Sequence, residues 1–145
     1  MKMNYFFRNC KKTSLKVILV LYIFSFLVAT YNHVVPFIEG GLHVYQLKNE
    51  NVSNWLNYYW SSLGILNPLA IIILLVNINA GIILYLLVIF SDVIINYWFV
   101  ITHYGFLELV NLFQLGQLGF LLFLAITCVL IVNEIKKLQL TTAST

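Results

Sequence analysis

Between Val17 and Val132 the chain carries four long apolar runs, and only Glu39, Lys48, Glu50, Asp92 and Glu108 bring charge into that whole interval. A helix needs roughly 20 apolar residues to cross the hydrocarbon of a bilayer, and each run meets that length or approaches it. The runs cover about 17–38, 58–76, 80–101 and 108–132, leaving one real loop at about 39–57. With 61% hydrophobic residues in 145 and a mean hydropathy of +0.92, a water-soluble fold has too little interior to hide them. The expectation is therefore a single domain of all-α class, a polytopic membrane protein built as a four-helix transmembrane bundle in the lipid bilayer.

Orientation follows from the basic residues. Lys2, Arg8, Lys11, Lys12 and Lys16 precede the first run, Lys136 and Lys137 follow the last, and Lys48 alone lies between. Basic residues near helix ends stay on the cytoplasmic side, so both the N-terminus and the C-terminus are expected to be cytoplasmic, which an even number of crossings satisfies. The competing reading of residues 1–29 as a secretory signal has the right outline. It fits less well, because the apolar run continues past a signal core and Val28-Ala29-Thr30 lacks the small-x-small cleavage pattern. Trp55, Tyr58, Tyr59 and Trp60 form an aromatic belt at the close of the loop, which is expected to rest partly on the membrane surface.

The turns Asn77-Ile78-Asn79 and His103-Tyr104-Gly105 are short enough to place sequential helices side by side, and Glu108 is expected in the first turn of the last helix. Cys10 and Cys128 both fall on the reducing side, so no disulfide is expected; Cys10 is a candidate for acylation, with an unmodified thiol preferred. Asn51-Val52-Ser53 is a formal glycosylation sequon, relevant only in a eukaryotic secretory pathway.

Polar side chains at membrane depth carry the functional information. A carboxylate such as Asp92 near mid-helix costs about 2.5–3.5 kcal/mol if left facing lipid, so it is expected to face protein or water. At about 100° per residue, Tyr85, Asp92, Asn96 and His103 share one face of the third helix. Matching stripes are Tyr22, Ser25, Ala29 and Asn32 or His33 on the first helix, and Asn57, Ser61, Gly64 and Asn67 on the second. Asn111, Gln114, Gln117, Ala125 and Cys128 make the fourth. Four such stripes point inward and make the interior more polar than the surface. The candidate ligand-binding residues are Asp92, Asn96, Asn67, Gln114, Gln117 and His33, around a pocket opening away from the cytoplasm with Asp92 at its floor. Pro68 frees the carbonyl of Gly64 as a further acceptor, and Gly116 with Gly119 resembles a close-packing patch.

Several classes are disfavoured. There is no Gly-rich phosphate loop, His-Glu-x-x-His, Cys-x-x-Cys or paired acids, so no cofactor and no metal is expected, and the fringing of helix ends by basic residues argues against nucleic acid. Three readings stay open: a protein that binds or passes a small polar or amphiphilic ligand, a membrane-embedded enzyme using Asp92 with His33 or His103 for proton transfer, and a structural subunit in a homo-oligomer or with membrane partners. The first is preferred, and enzyme activity is the less favoured.

The stretches NYYWSSLGILNPLA, SDVIINYW and QLGQLGFLLF resemble an uncharacterised family of small bacterial four-helix integral membrane proteins. The resemblance implies a multi-pass protein of the bacterial inner membrane and no particular activity. The emopamil-binding type of four-helix protein matches in helix count, but its acids do not align with those here.

Overall fold

The computed structural model describes residues 1–49 and 52–143, so Asn51 of the sequon lies outside the described residues. The order is α1 (Met3–Asn9), α2 (Thr13–Gly40), a 3-10 turn (Gly41–His43), α3 (Val44–Lys48), α4 (Asn54–Val76), α5 (Ile78–His103), a 3-10 segment (Phe106–Val110) and α6 (Leu112–Ala143). Four helices, starting at Thr13, Asn54, Ile78 and Leu112, are long and apolar enough to cross a membrane. The fold is the expected all-helical four-span architecture of a multi-pass membrane protein. Its surface is accordingly oily: Phe24, Ile65, Leu87 and Ile126 are among many large apolar side chains left exposed.

The helices form a ring in which α2 packs on α4, α4 on α5 and α5 on α6, with α2 and α6 meeting over a shorter length. The turn between α4 and α5 shrinks to Asn77, whose side chain accepts from the Ala80 amide at 3.4 Å as an N-cap. So tight a hairpin brings the two backbones together, and a Cβ built on Gly81 would stand 2.3 Å from the Cα of Leu74.

Two expectations are corrected at the helix ends, those for the leader and for Glu108. The basic leader is not simply a flank: α1 buries Met3 and Phe6, and the Met1 carbonyl accepts from the Ile78 amide at 3.0 Å, so the leader caps the α4–α5 hairpin. Cys10 is 2% exposed, which removes it as an accessible acylation site in this fold. Glu108 falls in the 3-10 segment and not in the first turn of α6, which Asn111 opens by accepting from the Gln114 amide at 2.9 Å. Lys12 pairs with Glu134 at 2.9 Å, so both chain termini share one end of the bundle, called here the terminal end.

At the opposite, lid end, the loop expected on the membrane surface is folded back over the helices. Gly41, with φ +66°, allows the chain to reverse after α2. The Asn57 side chain then holds the returning segment by donating to the Leu42 carbonyl and accepting from the Tyr45 amide at 3.1 Å. The aromatic belt divides: Trp55 and Tyr58 remain exposed, whereas Trp60 turns inward and Tyr59 bonds Ser91 at 2.9 Å. Gly116 and Gly119 are not a packing patch within this chain, since a Cβ at either would meet nothing within 4 Å.

The two kinds of glycine predict opposite responses. Gly81→Ala forces backbones apart and is expected to cost about 1–3 kcal/mol or more, as overpacking does. Gly116→Ala gains helix propensity and is expected to be neutral or stabilising by up to about 1 kcal/mol. Thermal denaturation of the two purified variants checks the pair, and equal destabilisation would contradict the packing described.

Candidate functional site: a polar-walled cavity in the bundle

The stripes converge because each helix turns its few polar side chains away from lipid, and their lid-end halves enclose a cavity of about 840 Å³. Helix α2 contributes Ser25, Ala29, Asn32 and His33; α4 contributes Trp60, Leu63 and Asn67; α5 contributes Val88, Ile89, Asp92 and Asn96. Helix α6 adds Phe113, Gly116, Gln117 and Phe120, and Tyr45 of the lid reaches in from above. The size lies within the range of about 300–1,000 Å³ usual for pockets that hold small ligands.

One hydrogen-bonded network forms its polar wall. Asn96 and Asp92 are four apart on α5 and so share a face; the Asn96 side-chain amide donates to Asp92 Oδ1 at 3.0 Å and to Gln117 Oε1 at 3.2 Å. Gln117 Nε2 donates to Asp92 Oδ2 at 2.9 Å, and Trp60 Nε1 donates to Asn96 Oδ1 at 2.9 Å. The network thus joins α5 and α6 at a carboxyl group that is 9% exposed and ties in α4 through Asn96, and both carboxyl oxygens have amide donors. Such satisfaction is what makes a carboxyl tolerable at membrane depth.

Asn67 differs. It is 3% exposed and lines the cavity, yet its side-chain amide has no hydrogen-bond partner among the described residues. Below it the cavity ends on stacked aromatic rings: Phe26 lies 3.7 Å from Tyr85 between centroids, Tyr85 stacks on Tyr22, and Phe120 on Phe123. This layer fills the bundle towards the terminal end. Tyr22 fastens it by sharing a hydrogen bond of 2.5 Å with Thr127 and donating to the Leu124 carbonyl at 3.4 Å.

Of the six residues expected to line the site, five surround this cavity: Asp92, Asn96, Asn67, Gln117 and His33. Gln114 does not: it is buried beside the cavity lining, its side-chain Oε1 has no hydrogen-bond partner among the described residues, and its backbone carbonyl accepts from the Tyr97 hydroxyl of α5 at 3.0 Å. The floor is also lower than expected, formed by Phe26 and Phe120 with Asp92 on the wall. Gly64 lines a separate crevice of about 90 Å³ between α2 and α4, with Ser61 and Val34, so its carbonyl is not part of this site. His103 sits on an exposed helix end bonded to the Phe99 carbonyl at 3.0 Å, away from Asp92. Among the described residues no group of three His, Cys, Asp or Glu gathers as a metal site.

Trp60, Tyr45 and Thr127 escaped the polar-stripe argument because an aromatic at an interface and a lone threonine in an apolar run both have commoner roles. Trp60 falls seven residues before Asn67, on the face that α4 turns inward, and that spacing is the signal that finds it. No family model, no curated protein and no solved structure matches the chain.

The network predicts a specific weakness. Asn96→Leu leaves the Trp60 indole N–H unpaired and removes one of the two donors to Asp92, at a cost of about 1–3 kcal/mol per stranded group. Chemical denaturation in mild detergent should register that loss, whereas His103→Leu, whose side chain lies outside the network, should change stability by less than about 0.5 kcal/mol.

Proposed function

We propose that this chain is a multi-pass membrane protein that binds an amphiphilic small molecule inside its bundle. The observation that carries the reading is the cavity itself: largely apolar walls, with the Asp92–Asn96–Gln117 network on one side and the unpartnered Asn67 amide deep within. An amide that faces a cavity without a protein partner is free to hydrogen-bond an occupant.

The other readings draw less support. Asp92 and His33 line the same cavity, but His33 Nδ1 bonds the Tyr45 hydroxyl at 2.9 Å and not the carboxyl, which favours holding a ligand over transferring its protons. The aromatic layer around Phe26 and Tyr85 lies across the route to the terminal end and favours binding over passage. Most of the polar stripe residues are turned inward, which leaves a largely apolar surface suited to lipid. The basic residues gathered at the terminal end support cytoplasmic termini, and the bacterial resemblance supports an inner-membrane location.

Occupancy tests the binding reading. Ala29→Phe places a ring in the cavity from α2; wild-type protein in nanodiscs is expected to retain about one equivalent of a small amphiphile on organic extraction, and the variant at least about tenfold less. Equal retention by two equally stable proteins would overturn the reading. For orientation, Ser53→Cys at the lid end of a cysteine-free chain is expected to react with a membrane-impermeant thiol reagent in intact cells, and labelling only after lysis would reverse it.

A further inference from the structure

We propose that the cavity is entered sideways from the bilayer, between the lid-end halves of α2 and α6, by a single-chain or sterol-sized amphiphile whose head is a hydrogen-bond donor, a hydroxyl or an amine, and not a phosphate. The inference rests on the binding reading above and adds the route and the chemical class.

The route follows from how the α2–α6 seam is built. Its contacts run from Lys12 with Glu134, through Tyr22 with Thr127 and Phe123, to Phe26 with Phe120. Beyond Phe120 the cavity stands where the seam would continue, lined by Val28, Ala29 and Asn32 on one helix and by Leu112, Phe113 and Gly116 on the other. The edges of this gap are open: Val28 is 45%, Phe113 62% and Leu112 91% exposed, and a Cβ on Gly116 would meet nothing within 4 Å. Both helices are long and apolar enough to be membrane spans, so an opening between them faces lipid. From the lid end, the Tyr45 side chain overhangs the cavity, tied to His33 and packed 5.4 Å from the Trp60 ring between centroids. The apolar gap is therefore the path that costs an amphiphile least, because its tail can stay in lipid while its head moves in.

The head group is chosen by the wall. No lysine or arginine lines the cavity, and Asp92 has only neutral amide partners. A phosphate would bring negative charge to an acid with none of the cationic donors by which phosphates are held. A hydroxyl or amine instead donates to Asp92, whose carboxyl oxygens can accept more than the two bonds they have, and bonds the free amide of Asn67. A hydroxyl is weakly enough hydrated to be drawn below the membrane surface, the charge of a protonated amine is met there by the Asp92 carboxyl, and a whole two-chain lipid would overfill about 840 Å³.

The test uses Trp60, left as the sole tryptophan by Trp55→Phe and Trp98→Phe, in phosphatidylcholine nanodiscs. Mid-chain brominated octadecanol and octadecylamine are expected to quench it saturably, at least about tenfold more tightly than brominated octadecyl phosphate. Asp92→Asn distinguishes the two accepted heads: it should weaken the amine more than the alcohol if the amine is held as a cation, and both alike if each is held by hydrogen bonds. Gly116→Phe, which the open space around Gly116 accommodates, should slow the onset of quenching about tenfold. A phosphate that binds as tightly as the alcohol and amine would overturn the head class, and an unchanged onset would overturn the route. If no probe quenches while the Ala29→Phe difference in retained amphiphile stands, the class named here is wrong and the cavity reading survives; failure of both removes the cavity reading itself.

Discussion

In hydrocarbon a polar side chain has no water to bond, and this one penalty organises the bundle. Asp92 can occupy the middle of α5 because Asn96 and Gln117 bring amide donors to both of its oxygens, at 3.0 and 2.9 Å. Trp60 then occupies the amide oxygen of Asn96. Gln117 comes from α6 and Trp60 from α4, so satisfying this one network sets the rotation of α4, α5 and α6 together. Interhelical hydrogen bonds in membranes are individually modest, about 0.6–2 kcal/mol, and their effect here is to choose which faces meet more than to supply the bulk of the stability.

The same rule explains why the bundle is tight at one end and hollow at the other. Towards the terminal end α2 and α6 offer each other rings and one hydroxyl pair, Tyr22 with Thr127, which close the seam, while the Tyr85 hydroxyl stacked in the same layer is buried without a partner among the described residues. Towards the lid end the seam includes the small residues Ala29 and Gly116, and the larger Leu112 and Phe113 are 91% and 62% exposed and do not close the space. Close packing there would have pressed the Asp92 network and the Asn67 amide against methyl groups. The cavity is thus the consequence of placing small residues opposite a polar wall.

Much of this was legible in the sequence. Lengths of apolar runs and the spacing of Asp92, Asn96, Asn67 and Gln117 were enough to find the spans and the converging wall, because membrane helices are regular and polar residues in them are few. Gln114 was misplaced because Asn111, Gln114 and Gln117 share a face to within only part of a turn, and α6 spends that width contacting both α5 and the cavity. The lid was missed for a different reason: its hold on the bundle is one buried asparagine, Asn57, bonded to backbone at Leu42 and Tyr45, and a backbone partner leaves no mark in sequence. The packed leader was hidden likewise, since Met3 and Phe6 lie among basic residues that read as a flank.

The lid and the aromatic floor together decide what kind of occupant the cavity can keep. A molecule held by Asp92 and Asn67 has beneath it the Phe26–Tyr85 stack and above it Tyr45, which His33 and Trp60 hold by a hydrogen bond and ring contact. Neither boundary offers a charged group to draw water inward; the nearest ion pair, Lys12 with Glu134, lies at the far end of the seam. A freely soluble polar solute would have to shed its hydration to stay there and would gain few bonds in return. An amphiphile gives up little, because its chain remains in an environment as apolar as the one it left and only its head exchanges partners. On the proposed binding function, the arrangement of boundaries would therefore favour lipid-soluble ligands before any individual hydrogen bond chose among them.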